Sequence, residues 1–106
     1  MKLGIILETS EPEKAWNAFR FANTSLNRQH TVQVFLMGQA VECEEIDHEK
    51  YNVAAEMKKF VDLNGVLYAC GTCLKSRKLT EQTSCPISTM NDCVDLVEWA
   101  DKMVTF

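Results

Sequence analysis

The feature that most constrains this chain is the run "KLGIILE" at residues 2–8, apolar with no polar residue on every second position. A strand with one face in water alternates polar and apolar side chains, so a run without alternation suits a strand covered on both faces, as in a parallel sheet. Parallel strands need crossovers, and the residues that follow supply one. In "SEPE", Ser10 is placed as an N-cap with Glu13 as its capping-box partner, and Pro12 is tolerated in a first helical turn. Ala15, Phe19, Ala22 and Leu26 then recur at helical spacing, which predicts a helix over roughly residues 11–28.

The same alternation continues. "TVQVFLMG" reads as a second strand and "QAVECEEIDHEKY" as an acidic loop. Val53, Met57, Phe60 and Val61 mark the inner face of a second helix that stops at Asn64 and Gly65, a left-handed C-cap pair. "VLYAC" is the third strand, and a short helix is expected over about Thr72 to Arg77. Thr89 and Asp92 are spaced to cap a further helix with Cys93, Leu96, Val97 and Ala100 inside, and "KMVTF" is a closing strand. Strand, helix, strand, helix, strand with short joins predicts an α/β fold with a mostly parallel sheet and helices on both faces. The 106 residues suit one domain without a linker.

Charge and composition narrow the function classes. The net charge of −4, with basic residues gathered only near "KSRK", speaks against a nucleic-acid partner. No apolar run is long enough for a bilayer and no leader pattern is seen, so no membrane role is expected and a cytoplasmic location is. The loop "ETSEPE" after the first strand is acidic and lacks glycines, which disfavours a flavin or nicotinamide, and no cofactor is expected.

Five cysteines, at 43, 70, 73, 85 and 93, are the chemically distinctive content. Their odd number and the chain's ample apolar fraction argue for reduced thiols over a disulfide framework. Cys70 ends the third strand, where open parallel sheets present their functional loops. It is read either as a small hydrophobe closing a core strand or as a reactive thiol. Gly71 leaves room for a ligand or partner backbone, the backbone of Thr72 opens the next helix, and Lys75 and Arg77 add positive charge that favours a thiolate. Cys73 completes a C-x-x-C pair suited to dithiol exchange, although such a motif in a thioredoxin-like domain follows the first central strand.

A zinc site from Cys70, Cys73 and Cys85 with Cys93 or His48 lacks the second C-x-x-C of most structural zinc sites, and no metal is expected. Cys85, before Pro86, is expected at the same sheet end, within approach of Cys70. Cys43 lies among carboxylates that raise its pKa. His30 and His48 have solvated or dipole-matched surroundings, and Trp16 and Trp99 read as core or subunit-contact residues.

With "LGIILETSEPEKAWNAFRFA", "HTVQVFLMGQAVE", "GVLYACGTCLKSR" and "VEWADKMVTF" the chain resembles, over nearly its whole length, the DsrE/DsrF-like family of small sulfur-relay proteins, including TusD-type subunits. The resemblance implies a three-layer sandwich around a mainly parallel five-stranded sheet and assembly into homo-oligomers, trimers or hexamers. It also implies that the cysteine after the third strand, Cys70 here, carries sulfur as a persulfide between a desulfurase-like donor protein and an acceptor protein. TusD-type sequences do not need a second cysteine three residues on, so Cys73 and Cys85 are departures that either assist the transfer or discharge it. A non-catalytic oligomeric binding module is the alternative from a different class, and a C-x-x-C dithiol oxidoreductase a third.

Overall fold

The structure, a computed structural model, describes residues 1–106. Five strands, β1 (Lys2–Leu7), β2 (Thr31–Leu36), β3 (Val66–Cys70), β4 (Ile87–Ser88) and β5 (Lys102–Thr105), form one sheet in the order β4-β3-β2-β1-β5, with every pairing parallel. Four α-helices join them: α1 (Pro12–Asn27), α2 (Val53–Asp62), α3 (Gly71–Ser76) and α4 (Met90–Trp99). The steps from β1 to β2 to β3 run in one direction across the sheet, and right-handed crossovers then place α1 and α2 on one face. The step from β4 to β5 runs the opposite way and carries α4 to the other face.

Side-chain contacts follow that division. Ile5, Leu7 and Val34 lie against Ala18 and Phe19 of α1, whereas Gly4, of opposite parity on β1, lies against Leu96 of α4 and Ala100 just past its end. Leu3, Ile5, Leu7, Val32, Val34, Phe35 and Leu36 are all buried, as a sheet covered on both sides requires. No helix is long and apolar enough to cross a membrane.

Several local expectations need correction. The cap of α1 is Glu11, whose carboxylate accepts the N–H groups of Glu13 and Lys14 at 3.2 and 2.9 Å, and not Ser10. Pro12 at the first helical position forces the residue before it into extended backbone, which makes Glu11 the last non-helical residue. The acidic loop is largely a 3-10 helix, Gly38–Glu45, with Ala40, Val41 and Cys43 turned inward. The stretch around Ile87, for which no strand is expected above, contributes β4. Val61 and Val97 are exposed, because each adjoins an inward residue, Phe60 or Leu96, and a neighbouring helical position is rotated by about 100°.

The helix stop at Asn64 and Gly65 is as read: Asn64 is left-handed (φ 69°), and the Gly65 N–H donates to the Phe60 carbonyl at 2.9 Å. So is the capping box of α4, with the Asp92 N–H donating to Thr89 Oγ1 at 3.4 Å and the Thr89 N–H to Asp92 Oδ2 at 2.7 Å. Thr89→Ala is expected to lower unfolding stability by about 1 kcal/mol in urea titration, with the fold retained by circular dichroism.

Candidate functional site

The register levels the carboxyl ends of the central strands, since Leu7 pairs with Leu36, Leu36 with Ala69, and Cys70 with Ser88. The turns after β2, β3 and β4 therefore meet at one edge. There Cys70 is both the last residue of β3 and the N-cap of α3, in extended backbone (φ −62°, ψ 119°). Cys73 is the third residue of that helix. N-cap and third-residue side chains face each other, the geometry that a capping box exploits, and here two thiols occupy those positions, near enough for Cys70 to act on the Cys73 pKa.

Neighbouring turns complete the site. Gly38, left-handed at φ 58°, directs its N–H to Cys73 Sγ at 3.1 Å. Arg77 donates from Nη1 to the Cys73 carbonyl at 3.2 Å and places Nε 3.5 Å from a Glu42 carboxylate oxygen. Burial pushes the Cys73 thiol upward and the adjacent Cys70 adds to the rise, while the Gly38 N–H and the Arg77 charge oppose it. Cys70 is buried at 5% exposure and Cys73 is half-buried at the rim.

Cys93 enters from the other layer. Tyr68 and Cys70 have the parity on β3 that faces α4, and Cys93, in the first turn of α4, is close enough to Cys70 for a charge there to raise its pKa, second to burial. Sequence reading placed Cys93 on the inner face of its helix and brought it together with Cys70 only in the zinc site it disfavoured, because the connection runs through β4.

Cys85 belongs elsewhere. It is buried, its pKa is pushed up to about 11 by burial and by Glu44, and the charge it would carry acts on Cys43. Cys43, fully buried with its S–H directed at the Thr9 carbonyl at 3.5 Å, is pushed up to about 12, by burial first and Glu42 second. Cys85 lines a groove of about 710 Å³ between α2 and the β3 edge, walled by Met57, Val61, Leu67, Ser84 and Pro86, to which Cys70 and Cys73 do not contribute. Glu44 anchors that loop by accepting the Ser84 N–H at 3.0 Å, and the Ser84 hydroxyl also donates to it. With the thiols divided in this way, the four-ligand zinc arrangement weighed above is not assembled, and no three His, Cys, Asp or Glu side chains converge on a metal position.

The remaining expected residues have distinct places. An added Cβ on Gly71 would lie 3.1 Å from Ile87 Cγ2 and 3.3 Å from the Ser88 carbonyl, so the backbone it admits is the chain's own β4. Thr72 and Lys75 are exposed, and Lys75 makes no side-chain hydrogen bond or ion pair. His48 Nδ1 accepts the N–H groups of Lys50 and Tyr51, both at 3.1 Å, and closes a turn. Gly38 is the residue that sequence reading missed. Its only local sign is a glycine directly after a strand, and its relation to Cys73 exists only in three dimensions.

The sequence profile of the DsrE/DsrF-like family matches residues 1–106, the full length of the chain. The chain belongs to the DsrE/DsrF-like family. Among curated relatives of this DsrE/DsrF-like protein, the uncharacterized protein MJ0989 of Methanocaldococcus jannaschii is 33% identical over 115 residues, covering 100% of both chains. The uncharacterized protein MK0008 of Methanopyrus kandleri is 29% identical over 100 residues, covering 89% of this chain and 83% of that one. The crystal structure of the ychN protein from E. coli superposes with a TM-score of 0.87 at 22% identity, covering 100% of both chains. A conserved protein of unknown function from Bacteroides thetaiotaomicron, BT1422, does so with a TM-score of 0.81 at 17% identity, over 99% of this chain and 94% of that one. The structural likenesses establish the DsrE-like three-layer fold.

The raised thiols make stability pH-dependent with a definite sign. Cys43 and Cys85 keep their protons in the folded protein up to about 12 and 11, whereas a free thiol ordinarily loses its proton near 9.0. Above that value the unfolded chain loses protons that the folded chain retains, so stability is full below pH 9 and falls as pH rises toward the folded values. Urea midpoints are expected to decline from pH 9 to 11, with a slope of about 1.4 kcal/mol per pH unit for each such thiol. Cys43→Ala is expected to make the decline shallower, and an unchanged slope would show that Cys43 ionises freely in the fold.

Proposed function

We propose that the protein is a small, single-domain sulfur carrier of the reducing cytoplasm, holding sulfur as a persulfide on Cys70. The observation that supports this most is the thiol pair itself: Cys70 at a strand-to-helix junction, facing Cys73 across the first turn of α3, with the Gly38 N–H at 3.1 Å from Cys73 Sγ. Full-length membership of a family with sulfur-relay members supports it at the level of the fold. In the proposed step the Cys70 thiolate attacks the outer sulfur of a donor persulfide. The donor's S–S bond breaks, the donor leaves as a thiolate, and Cys70 gains one sulfur with no net oxidation. An acceptor thiolate reverses these roles. Arg77, fixed against the Cys73 carbonyl, keeps a positive charge beside the pair.

Cys73 is the assistant in this reading. Cys85 is not given a role, since it stands in the wall of a separate groove and holds its proton to about 11. We further propose a homo-oligomer. Met90, Val94 and Val97 of α4 are exposed at helical spacing, an apolar stripe that a second copy would cover. Val94→Glu is expected to lower the mass measured by light scattering, and an unchanged mass would move the contact to another face. The groove of about 710 Å³ favours a second reading, a ligand- or partner-binding module in which the thiols are structural.

These readings separate in one experiment with a cysteine desulfurase and cysteine, followed by alkylation and tryptic mass spectrometry. In Cys73→Ser the peptide Phe60–Lys75 is expected to gain one sulfur, and in Cys70→Ser to gain none. Sulfur on that peptide in Cys70→Ser would transfer the carrier role to Cys73. Absence of sulfur from every peptide of both variants and of the wild type would leave the binding module.

A further inference from the structure

We propose that Cys73 discharges the Cys70 persulfide within the same chain, releasing hydrosulfide and leaving a Cys70–Cys73 disulfide, so that the protein is also a single-turnover persulfide reductase. This rests on Cys70 being the carrier, and it assigns the second thiol a reaction of its own.

The geometry favours this reaction over simple storage. Cys70 and Cys73 stand at the N-cap and the third position of α3, where side chains meet across one turn, and Cys70 lies near enough to raise the Cys73 pKa. A sulfur added to Cys70 leaves the inner sulfur, which stays attached to Cβ, facing Cys73. The Gly38 N–H, held on the Cys73 sulfur at 3.1 Å by a left-handed backbone, stabilises negative charge on the attacking atom, and the guanidinium of Arg77 does the same from the carbonyl side. Cys73 is half-buried where Cys70 is buried, so the leaving hydrosulfide has a route to solvent along the rim.

Cys93 is the rival. It also approaches Cys70, but it lies in the opposite layer, is buried at 5% exposure, and receives no backbone N–H or cation at its sulfur.

The step balances. The Cys73 thiolate supplies the electron pair for the new S–S bond to Cys70 Sγ, and the bond from Cys70 Sγ to the outer sulfur breaks. The outer sulfur takes that bond's electrons and leaves with its proton as HS⁻. Two cysteine sulfurs are oxidised together by two electrons, and the sulfane sulfur is reduced by two. A dithiol reductant is required before the next turnover, and dithiothreitol serves in the test.

The test uses the full chain with a cysteine desulfurase and cysteine, without added reductant, following sulfide and the mass of the peptide Phe60–Lys75. Wild-type protein is expected to release one sulfide per loaded chain while the peptide loses two hydrogens, a change that dithiothreitol reverses. Cys73→Ser is expected to retain the added sulfur and release sulfide roughly tenfold more slowly, as the attacking thiolate is gone. Cys93→Ser is expected to follow the wild type. A wild-type persulfide as long-lived as that of Cys73→Ser would overturn the proposal while leaving Cys70 as carrier. A disulfide joining Phe60–Lys75 to the peptide Leu79–Lys102 would assign the discharge to Cys93 or Cys85, which the Cys93→Ser variant tells apart, and overturn it as well. Failure to load Cys73→Ser and the wild type alike would remove the carrier reading and this proposal with it.

Discussion

Everything at the candidate site depends on the level parallel pairing of β1, β2 and β3. Parallel strands cannot be joined by hairpins, so each must be followed by a crossover, and the crossovers cover the sheet with helices. That covering explains why the strands read as unbroken apolar runs. It also sends every turn that follows a strand to one edge. With Leu36 paired to Ala69, the turn after β2 lies beside the turn after β3, and the Gly38 N–H reaches a sulfur 35 residues further along the chain.

The direction change between β4 and β5 has an equal effect on the chemistry. Because that crossover runs opposite to the others, α4 comes to the second face and brings Cys93 within electrostatic reach of Cys70, whereas the 3-10 segment and the 84–86 loop keep Cys43 and Cys85 on the first. Five thiols in a short chain are thereby separated into two sets. One set has a hydrogen-bond donor and a cation nearby. The other is buried with carboxylates, and its members hold their protons far above neutrality.

What was legible in the sequence follows the length of each signal. Helix α1 and the strand runs span enough residues for periodicity to show, and the Thr89 and Asp92 pair carries its capping geometry in its spacing. β4 has two residues and no period of its own; only its pairing with Ala69 and Cys70 defines it. The 3-10 helix hid behind Glu42, Glu44 and Glu45, whose charges mark a solvated loop even though Ala40 and Cys43, three apart, both face inward. Cys70 was found because strand ends in parallel sheets are informative. Gly38 was not, since a backbone N–H has no identity in a sequence and its importance here comes wholly from where β2 stops.

Gly71 offers a last consequence. Its missing side chain lets β4 close against the turn that bears Cys70, with Ile87 and the Ser88 carbonyl in the vacated space. Ser88 leads directly into the capping box of α4, so the cysteine turn, the edge strand and the start of the opposite helix are assembled as one mechanical unit. A side chain at position 71 would therefore act as a wedge, felt first by β4 and then by the helix that carries Cys93. The exposed Thr72 and Lys75 are open to substitution at little structural cost, whereas a Cβ at position 71 requires Ile87 and the Ser88 carbonyl to give by a few tenths of an ångström.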